Sequence, residues 1–320
     1  MSVYGAQRRD RPTAEPAPSP GARLRALLGG SEPAVLMGAH DGLSARVAAE
    51  AGFPALWASG LCISTALGVR DSDEASWTEL LEMAARVVAA SGLPVLVDGD
   101  TGHGNFNTAR RFTARVEQIG GAGVCLEDKL FPKMNSFVGD GHELTKIGEF
   151  CGKIAACRDA LADPDFVIVA RTEALIAGAG LDEALRRGEA YRRAGADALF
   201  IHSRQSTVSE IAQFAREWQS RLPLVIAPTT YHTTPMEEYV KLGISGVIWA
   251  NQSMRASLAA MRKACESLRR DGPAAVEDGI SSLEELFSLM RYQELAEDEK
   301  RYGDQAPGIA ELVATRKPGS

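Results

Sequence analysis

Eight short apolar runs recur along the chain, each giving way to small or polar residues. They are AVLMGAH (34–40), ALWASG (55–60), PVLVDGD (94–100), GVCLED (123–128), FVIVART (166–172), ALFIHS (198–203), LVIAPT (224–229) and GVIWAN (246–251). Val, Ile, Leu and Ala follow one another without strict polar alternation, which suits parallel strands covered on both faces. Helix-like stretches lie between them at 73–90, 107–120, 181–195 and 207–219. AGF at 51–53 and AGA at 194–196 read as helices ending at Gly and turning into the next strand. Eight β-then-α units predict an α/β fold, a (β/α)8 barrel of the TIM type. A doubly wound open sheet shares this periodicity, and the count of eight favours closure. Two more helical stretches, 254–270 and 281–295, exceed what one barrel needs, and the last is assigned to a partner subunit.

The ends differ from the middle. Residues 1–20 hold three Arg and four Pro with almost nothing to bury, and read as a disordered arm. Residues 301–320 read as a tail whose last residues fray. Neither a long linker nor a repeat divides 21–300, so one domain is the simpler reading. The formal net charge of −7 argues against a nucleic-acid surface, which needs clustered Lys and Arg. It leaves room for a local cationic pocket. Five Cys without a C-x-x-C pair argue against zinc and a disulfide scaffold. No signal-peptide core or run of roughly 20 apolar residues is present, so a cytoplasmic protein without membrane contact is expected.

In a barrel the C-terminal strand ends form the active face. There this chain places Ser59 and Gly60, Asp98 and Asp100, Glu127 and Asp128, Arg171 and Glu173, His202, and Asn251. Asp98 and Asp100 stand two apart, so a regular strand would point both the same way. With Glu127 on the next strand they make an oxygen-rich site suited to Mg2+. For any single Asp, helix capping or pairing with Lys is the plainer reading; three converging carboxylates favour the metal. The loop 128–136 adds Lys129, Lys133, Asn135 and Ser136, donors suited to phosphoryl oxygens, and Gly139-Asp140-Gly141 supplies a hinge. Arg171 can grip a phosphoryl or carboxylate group through paired hydrogen bonds. His202 alone would pass for a core histidine. Ser59-Gly60-Leu61 can offer backbone N–H groups to a carboxylate or be a simple turn. Gly102-His103-Gly104 completes no phosphate-loop or dinucleotide fingerprint and is read as a turn. Scattered His residues and the lack of G-x-S-x-G disfavour a zinc hydrolase and the commonest serine hydrolase.

These segments, with WASGLCISTALGVRDSDEASW, DGDTGHGNFNTARR, EDKLFPKMNS, VARTEALIAG, IHSR and VIWANQ, resemble the phosphoenolpyruvate mutase/isocitrate lyase superfamily from about Val35 to about Leu289. The mutase hallmark, E-D-K, five residues, then N-S, is met by Glu127-Asp128-Lys129 and Asn135-Ser136. The resemblance implies a barrel whose eighth helix is exchanged between subunits of a homodimer or homotetramer. It implies Mg2+ held by Asp98, with Asp100 and Glu127 acting largely through water. It implies a substrate-carboxylate cradle of Ser59, Gly60 and Leu61 walled by Trp57. Arg171, His202 and Asn135 would surround the phosphoryl group, and Asp71 would accept or position it. Lys133, Asn135 and Ser136 would ride on a gating loop. The implied reaction interconverts phosphoenolpyruvate and phosphonopyruvate, small-molecule substrates of phosphonate biosynthesis. Superfamily lyases carry a catalytic Cys in this loop, and there is none between Glu127 and Ser136. The remaining alternatives are hydrolysis of phosphonopyruvate, where the related loop has Thr in place of Asn135, and a non-catalytic barrel scaffold. Met134 and Thr172 depart from the usual residues without removing a chemical group.

Overall fold

A computed structural model describes residues 17–139 and 142–303. The hinge residues Asp140 and Gly141, most of the N-terminal arm and most of the tail lie outside the described residues. In chain order the elements are α1 (Pro20–Leu28), β1 (Ala34–Ala39), α2 (Gly42–Glu50), β2 (Ala55–Ala58), α3 (Gly60–Leu67), α4 (Trp77–Ser91), β3 (Val95–Asp98), α5 (Phe106–Gln118), β4 (Gly123–Glu127) and α6 (Ile147–Asp159). They continue with β5 (Val167–Thr172), α7 (Leu181–Arg193), β6 (Ala198–Ile201), α8 (Ser209–Trp218), β7 (Leu224–Ile226), α9 (Met236–Lys241), β8 (Ile244–Trp249), α10 (Gln252–Asp271), α11 (Leu283–Leu289) and α12 (Tyr292–Tyr302). The eight strands close in sequence order into one barrel, every pair parallel.

Residue parity along each strand sorts side chains into two layers. Leu36, Leu96, Cys125, Val167, Val169, Phe200 and Ile248 fill the barrel. Leu56, Val97, Val124, Leu126, Ile168 and Leu199 face the helices, packing with Phe112, Phe150, Phe214 and Trp218. Both faces are buried, which is why the runs lack polar alternation. The inward parity, continued past the last apolar residue, points Asp98, Glu127, Arg171 and His202 at the barrel mouth.

Helix α1 falls in a stretch where the apolar pattern predicts no element. Ser19 caps it, accepting from Ala22 N, and Pro20 occupies its first turn, where a missing N–H costs nothing. Leu24 and Leu28 then plug the N-terminal end of the barrel, packing with the inward strand residues. Elsewhere local chemistry trims the expected spans. α4 begins at Trp77 rather than 73, because Ser76 and Glu79 form a capping box there. β7 stops before Pro228, which has no N–H for the ladder. The stretch 281–295 is two helices, separated by Arg291 at φ 60.

The chain divides into a unit ending at Ser253 and a second from Met254. The second contains α11 and α12, joined by a Phe287–Tyr292 ring contact at 4.9 Å, with Leu283, Leu286 and Leu295 exposed. No helix among the described residues is long and apolar enough to cross a membrane.

In β1, Gly38 allows close approach to the segment after β8, since a Cβ there would lie 2.2 Å from the Ala250 carbonyl oxygen. Gly38→Ala is expected to cost about 1–3 kcal/mol through overpacking and to lower the melting temperature. An unchanged calorimetric melting temperature would refute this close approach.

Candidate active site

At the C-terminal mouth of the barrel one pocket gathers residues from six strands and the loops that follow them. Trp57, Ser59, Leu61, Asp71, Asp98, Glu127, Lys133, Asn135, Ser136, Arg171 and His202 all line it. Of the residues given a catalytic, substrate-binding or metal role from the sequence, all but Gly60 and Asp100 are in its wall. Trp57 meets Phe200 edge-on at 6.5 Å and closes the floor.

Ser59, Gly60 and Leu61 form a helix start rather than a bare turn. Ser59 caps α3, its Oγ accepting from Cys62 N at 3.3 Å. The first N–H groups of this helix face the mouth; Gly60 N donates to Asp98 Oδ2 at 3.2 Å. Such an end attracts an anion through its unsatisfied donors and dipole. A Cβ on Gly60 would stand 3.0 Å from Asp98 Oδ2 and 3.2 Å from Asp100 Oδ1, so glycine makes room for both carboxylates.

Asp98 and Asp100 do converge, but not for the reason their spacing suggests. β3 ends at Asp98, and Asp100 sits beyond it in a turn at φ 48. The two carboxylates meet through this turn, not through a shared strand face. Burial, then repulsion from Asp100, pushes the Asp98 carboxyl up to about 7. Burial likewise raises Glu127, whose Oε1 is buried without a hydrogen-bond partner. Crowded oxygen donors that resist ionisation fit a hard divalent cation. Asp73, Asp100 and His103 also bring donor atoms within 4.8 Å of one another. Asp98 and Glu127 line the pocket and could hold a cation there, whereas Asp73 already accepts from Lys133 N.

Opposite the carboxylates stands a cationic corner organised by Glu173, which is fully buried. Its Oε1 meets Arg171 Nε at 2.5 Å and His202 Nδ1 at 2.8 Å, and its Oε2 accepts from Ser136 Oγ at 2.7 Å. Lys129 Nζ lies 3.4 Å away. Burial pushes Glu173 up, but Arg171, His202 and Lys129 outweigh it and hold the carboxyl well below its usual range. Burial lowers His202, although Glu173 beside it pulls the other way. The Arg171 guanidinium lies 5.0 Å over the Phe200 ring, which orients its free edge.

The loop 129–138, which the resemblance makes a gating loop, lies against the pocket and contributes Lys129, Lys133, Asn135, Ser136 and Phe137 to its wall. Lys133 and Ser136 are buried, Phe137 packs edge-on against His202 at 5.4 Å, and Leu130, Phe131 and Met134 face outward. Lys133 Nζ sits 2.7 Å from Asp71 Oδ1 and 2.5 Å from Asp100 Oδ1. Asn135 Nδ2 donates to Asp71 Oδ2 at 2.6 Å. Burial alone would raise Asp71, but Lys133 outweighs it and keeps the carboxylate ionised.

Lys129, expected as a phosphoryl donor, lines the pocket. Glu173, placed at the active face without a role, has the inward parity of Arg171, and that signal marks it. Nothing local marks Asp73 or Phe137, which long loops bring in, whereas Thr229 ends the seventh apolar run with the inward parity of Val225 and Ala227. Asp128 groups with Glu127 by position, but its opposite parity sends it outward. There it is buried, accepting from Tyr191 Oη at 2.6 Å and Arg187 Nη1 at 3.0 Å. His103 lies in the expected turn and packs edge-on against Phe112 at 4.7 Å.

A parallel barrel with clustered carboxylates, a cationic corner and a closing loop at its mouth defines an enzyme class acting on small anions. The phosphoenolpyruvate phosphomutase family profile matches residues 24–269, and the chain belongs to that family. It is 60% identical to the phosphoenolpyruvate phosphomutase of Streptomyces hygroscopicus, over 91% of this chain and 94% of that one. The crystal structure of phosphoenolpyruvate phosphomutase from Streptomyces platensis subsp. rosaceus is similar with a TM-score of 0.86 and 45% identity, covering 88% of this chain and 99% of that one. A phosphonopyruvate hydrolase in complex with oxalate and Mg2+ is similar with a TM-score of 0.84 and 38% identity, covering 89% and 99%.

Proposed function

We infer that the chain is a mutase interconverting phosphoenolpyruvate and phosphonopyruvate. The observation that carries this reading is one pocket pairing a carboxylate cluster with the Arg171–His202–Ser136 corner, walled on one side by the loop 129–138. In the forward direction the bond between the C2 oxygen and phosphorus breaks, its electron pair remaining on oxygen as an enolate. C3 of the enolate then bonds to phosphorus as the C2 carbonyl forms, so no proton enters or leaves. A Mg2+ ion held by Asp98, with Asp100 and Glu127 around it, would supply the charge that stabilises an enolate.

Ser59, Gly60 and Leu61 hold the substrate carboxylate at the α3 N-terminus, and Trp57 limits its motion. Arg171, His202 and Asn135 hold the phosphoryl oxygens while the pyruvyl part turns. Positioning and charge stabilisation carry most of phosphoryl-transfer catalysis, and this arrangement supplies both. Both Asp71 oxygens are engaged, one by Lys133 and one by Asn135. That favours Asp71 as a positioning group over a phosphoryl acceptor.

Phosphorus NMR of the protein with phosphonopyruvate and Mg2+ tests the function. Phosphoenolpyruvate is the expected product, and phosphate with pyruvate would make the chain a hydrolase. The exposed apolar side chains of α11 and α12 support a homo-oligomer in which the C-terminal helices pack on a second copy.

A further inference from the structure

We propose that Asp73 is a positioning residue that latches the loop 129–138 closed while substrate is bound, and so decides how much phosphoryl group escapes to water. The water-escape part rests on the mutase reading; the latch itself does not.

Several contacts fasten the loop. Most use its side chains: Lys133 Nζ to Asp71 and Asp100, Asn135 Nδ2 to Asp71, and Ser136 Oγ to Glu173 and Arg171. These groups face the pocket, so a bound phosphoryl group competes for them. One contact is different in kind. Asp73 Oδ2 accepts from the Lys133 backbone N–H at 2.5 Å. No side chain of the loop is consumed by it, so it persists when Lys133, Asn135 and Ser136 turn to the ligand. A carboxylate accepting from a backbone N–H is among the stronger hydrogen bonds.

The acceptor is held firmly. Asp73 stands between α3 and α4 at φ 57, a conformation Asp tolerates better than most residues. Its side chain is 6% exposed, and His103 Nδ1 lies 3.9 Å from Oδ1. His103 is in turn packed on Phe112. The latch is therefore anchored to the barrel side of the mouth, outside the groups proposed to touch substrate.

If the loop opens during turnover, water reaches phosphorus. Its oxygen bonds to phosphorus as the carbon–phosphorus bond of phosphonopyruvate breaks. The electron pair stays with the enolate, which takes a proton at C3, giving phosphate and pyruvate.

Two variants separate a latch from a structural prop. Asp73→Gly removes the carboxylate without a strained Cβ, and Asp73→Asn keeps an oxygen acceptor of the same shape. Backbone hydrogen exchange of the 129–138 segment, read by mass spectrometry without substrate, should speed up about tenfold or more in Asp73→Gly, the scale of one charge-assisted hydrogen bond. Asp73→Asn should recover most of that protection. With phosphonopyruvate and Mg2+, phosphorus NMR should show the ratio of phosphate to phosphoenolpyruvate rising about tenfold in Asp73→Gly and returning toward wild type in Asp73→Asn. Unchanged exchange in both variants would overturn the latch whatever the enzyme makes. Faster exchange with an unchanged product ratio would overturn its role in water exclusion. A wild-type protein that makes only phosphate would overturn the mutase reading alone, leaving the exchange result to judge the latch.

Discussion

Asn135→Ala is expected to leave a folded protein whose turnover falls by about two to three orders of magnitude, the usual effect of losing one preorganised donor at a reacting centre. The side chain does two things at once. Its Nδ2 donates to Asp71 Oδ2 at 2.6 Å, and its Oδ1 accepts from Phe137 N at 3.0 Å, shaping the loop tip. Alanine frees one Asp71 oxygen, so that carboxylate turns toward Lys133 alone. It also removes a donor from the phosphoryl oxygens. The loss should fall mainly in kcat, because the carboxylate cradle at Ser59–Leu61 is untouched. Folding should survive, since Asn135 is half-buried on a cover rather than within either packed layer. Steady-state kinetics together with a melting curve decide the matter. A kcat within tenfold of wild type would remove Asn135 from the mechanism, and an unfolded variant would mean the loop is part of the core.

Much of this site is legible in the sequence, because barrel strands convert sequence position into direction. Arg171 and His202 stand at the ends of apolar runs, with the parity of the residues that fill the barrel. Their convergence follows from the fold class alone. The same rule separates Glu127 from Asp128, which position alone groups at one strand end. Glu173 is placed at the active face but given no role, because it lies past the end of β5, where only parity with Arg171, and no apolar pattern, shows which way it points.

What the pattern does not carry is the geometry of turns and covers. Asp100 reaches Asp98 only because it adopts φ 48, and nothing in D-G-D specifies that. Asp73 and Lys133 are 60 positions apart, and their hydrogen bond depends on how two long loops fold over the mouth. The loop 129–138 is rich in Lys, Asn and Ser and so resembles solvated surface. Its polar groups are buried because the pocket beneath is more polar than most protein interiors, with carboxylates placed to receive each one. The plug α1 is hidden by its neighbours. PGARLRALL follows a Pro-rich arm, and only packing shows that Leu24 and Leu28 belong to the barrel.

The carboxylate cluster makes the second large prediction, and stability and activity should move in opposite directions. Asp98→Asn is expected to lower kcat/KM by at least about a hundredfold, since metal stabilisation of developing charge is worth several kcal/mol. Its effect on the fold without metal has the other sign. The Asp98 carboxyl, ordinarily near 3.8, is raised to about 7 by burial and by Asp100. A folded-state value above the unfolded one favours the folded protein fully below about pH 4, and this contribution is lost as pH rises through 7. Near pH 8 the metal-free wild type therefore carries an unfavourable buried charge beside Asp100 and Glu127. Asparagine removes that charge, so the variant should melt at or above the wild-type temperature in chelator at pH 8. Added Mg2+ should reverse the order. It stabilises the wild type by about 2.7 kcal/mol when the free ion exceeds its dissociation constant a hundredfold, and it should barely move the variant. Calorimetry at pH 5 and pH 8, with and without Mg2+, reads all of this apart from turnover. An equal Mg2+-induced shift in the two proteins would mean that Asp98 is not the group that holds the ion.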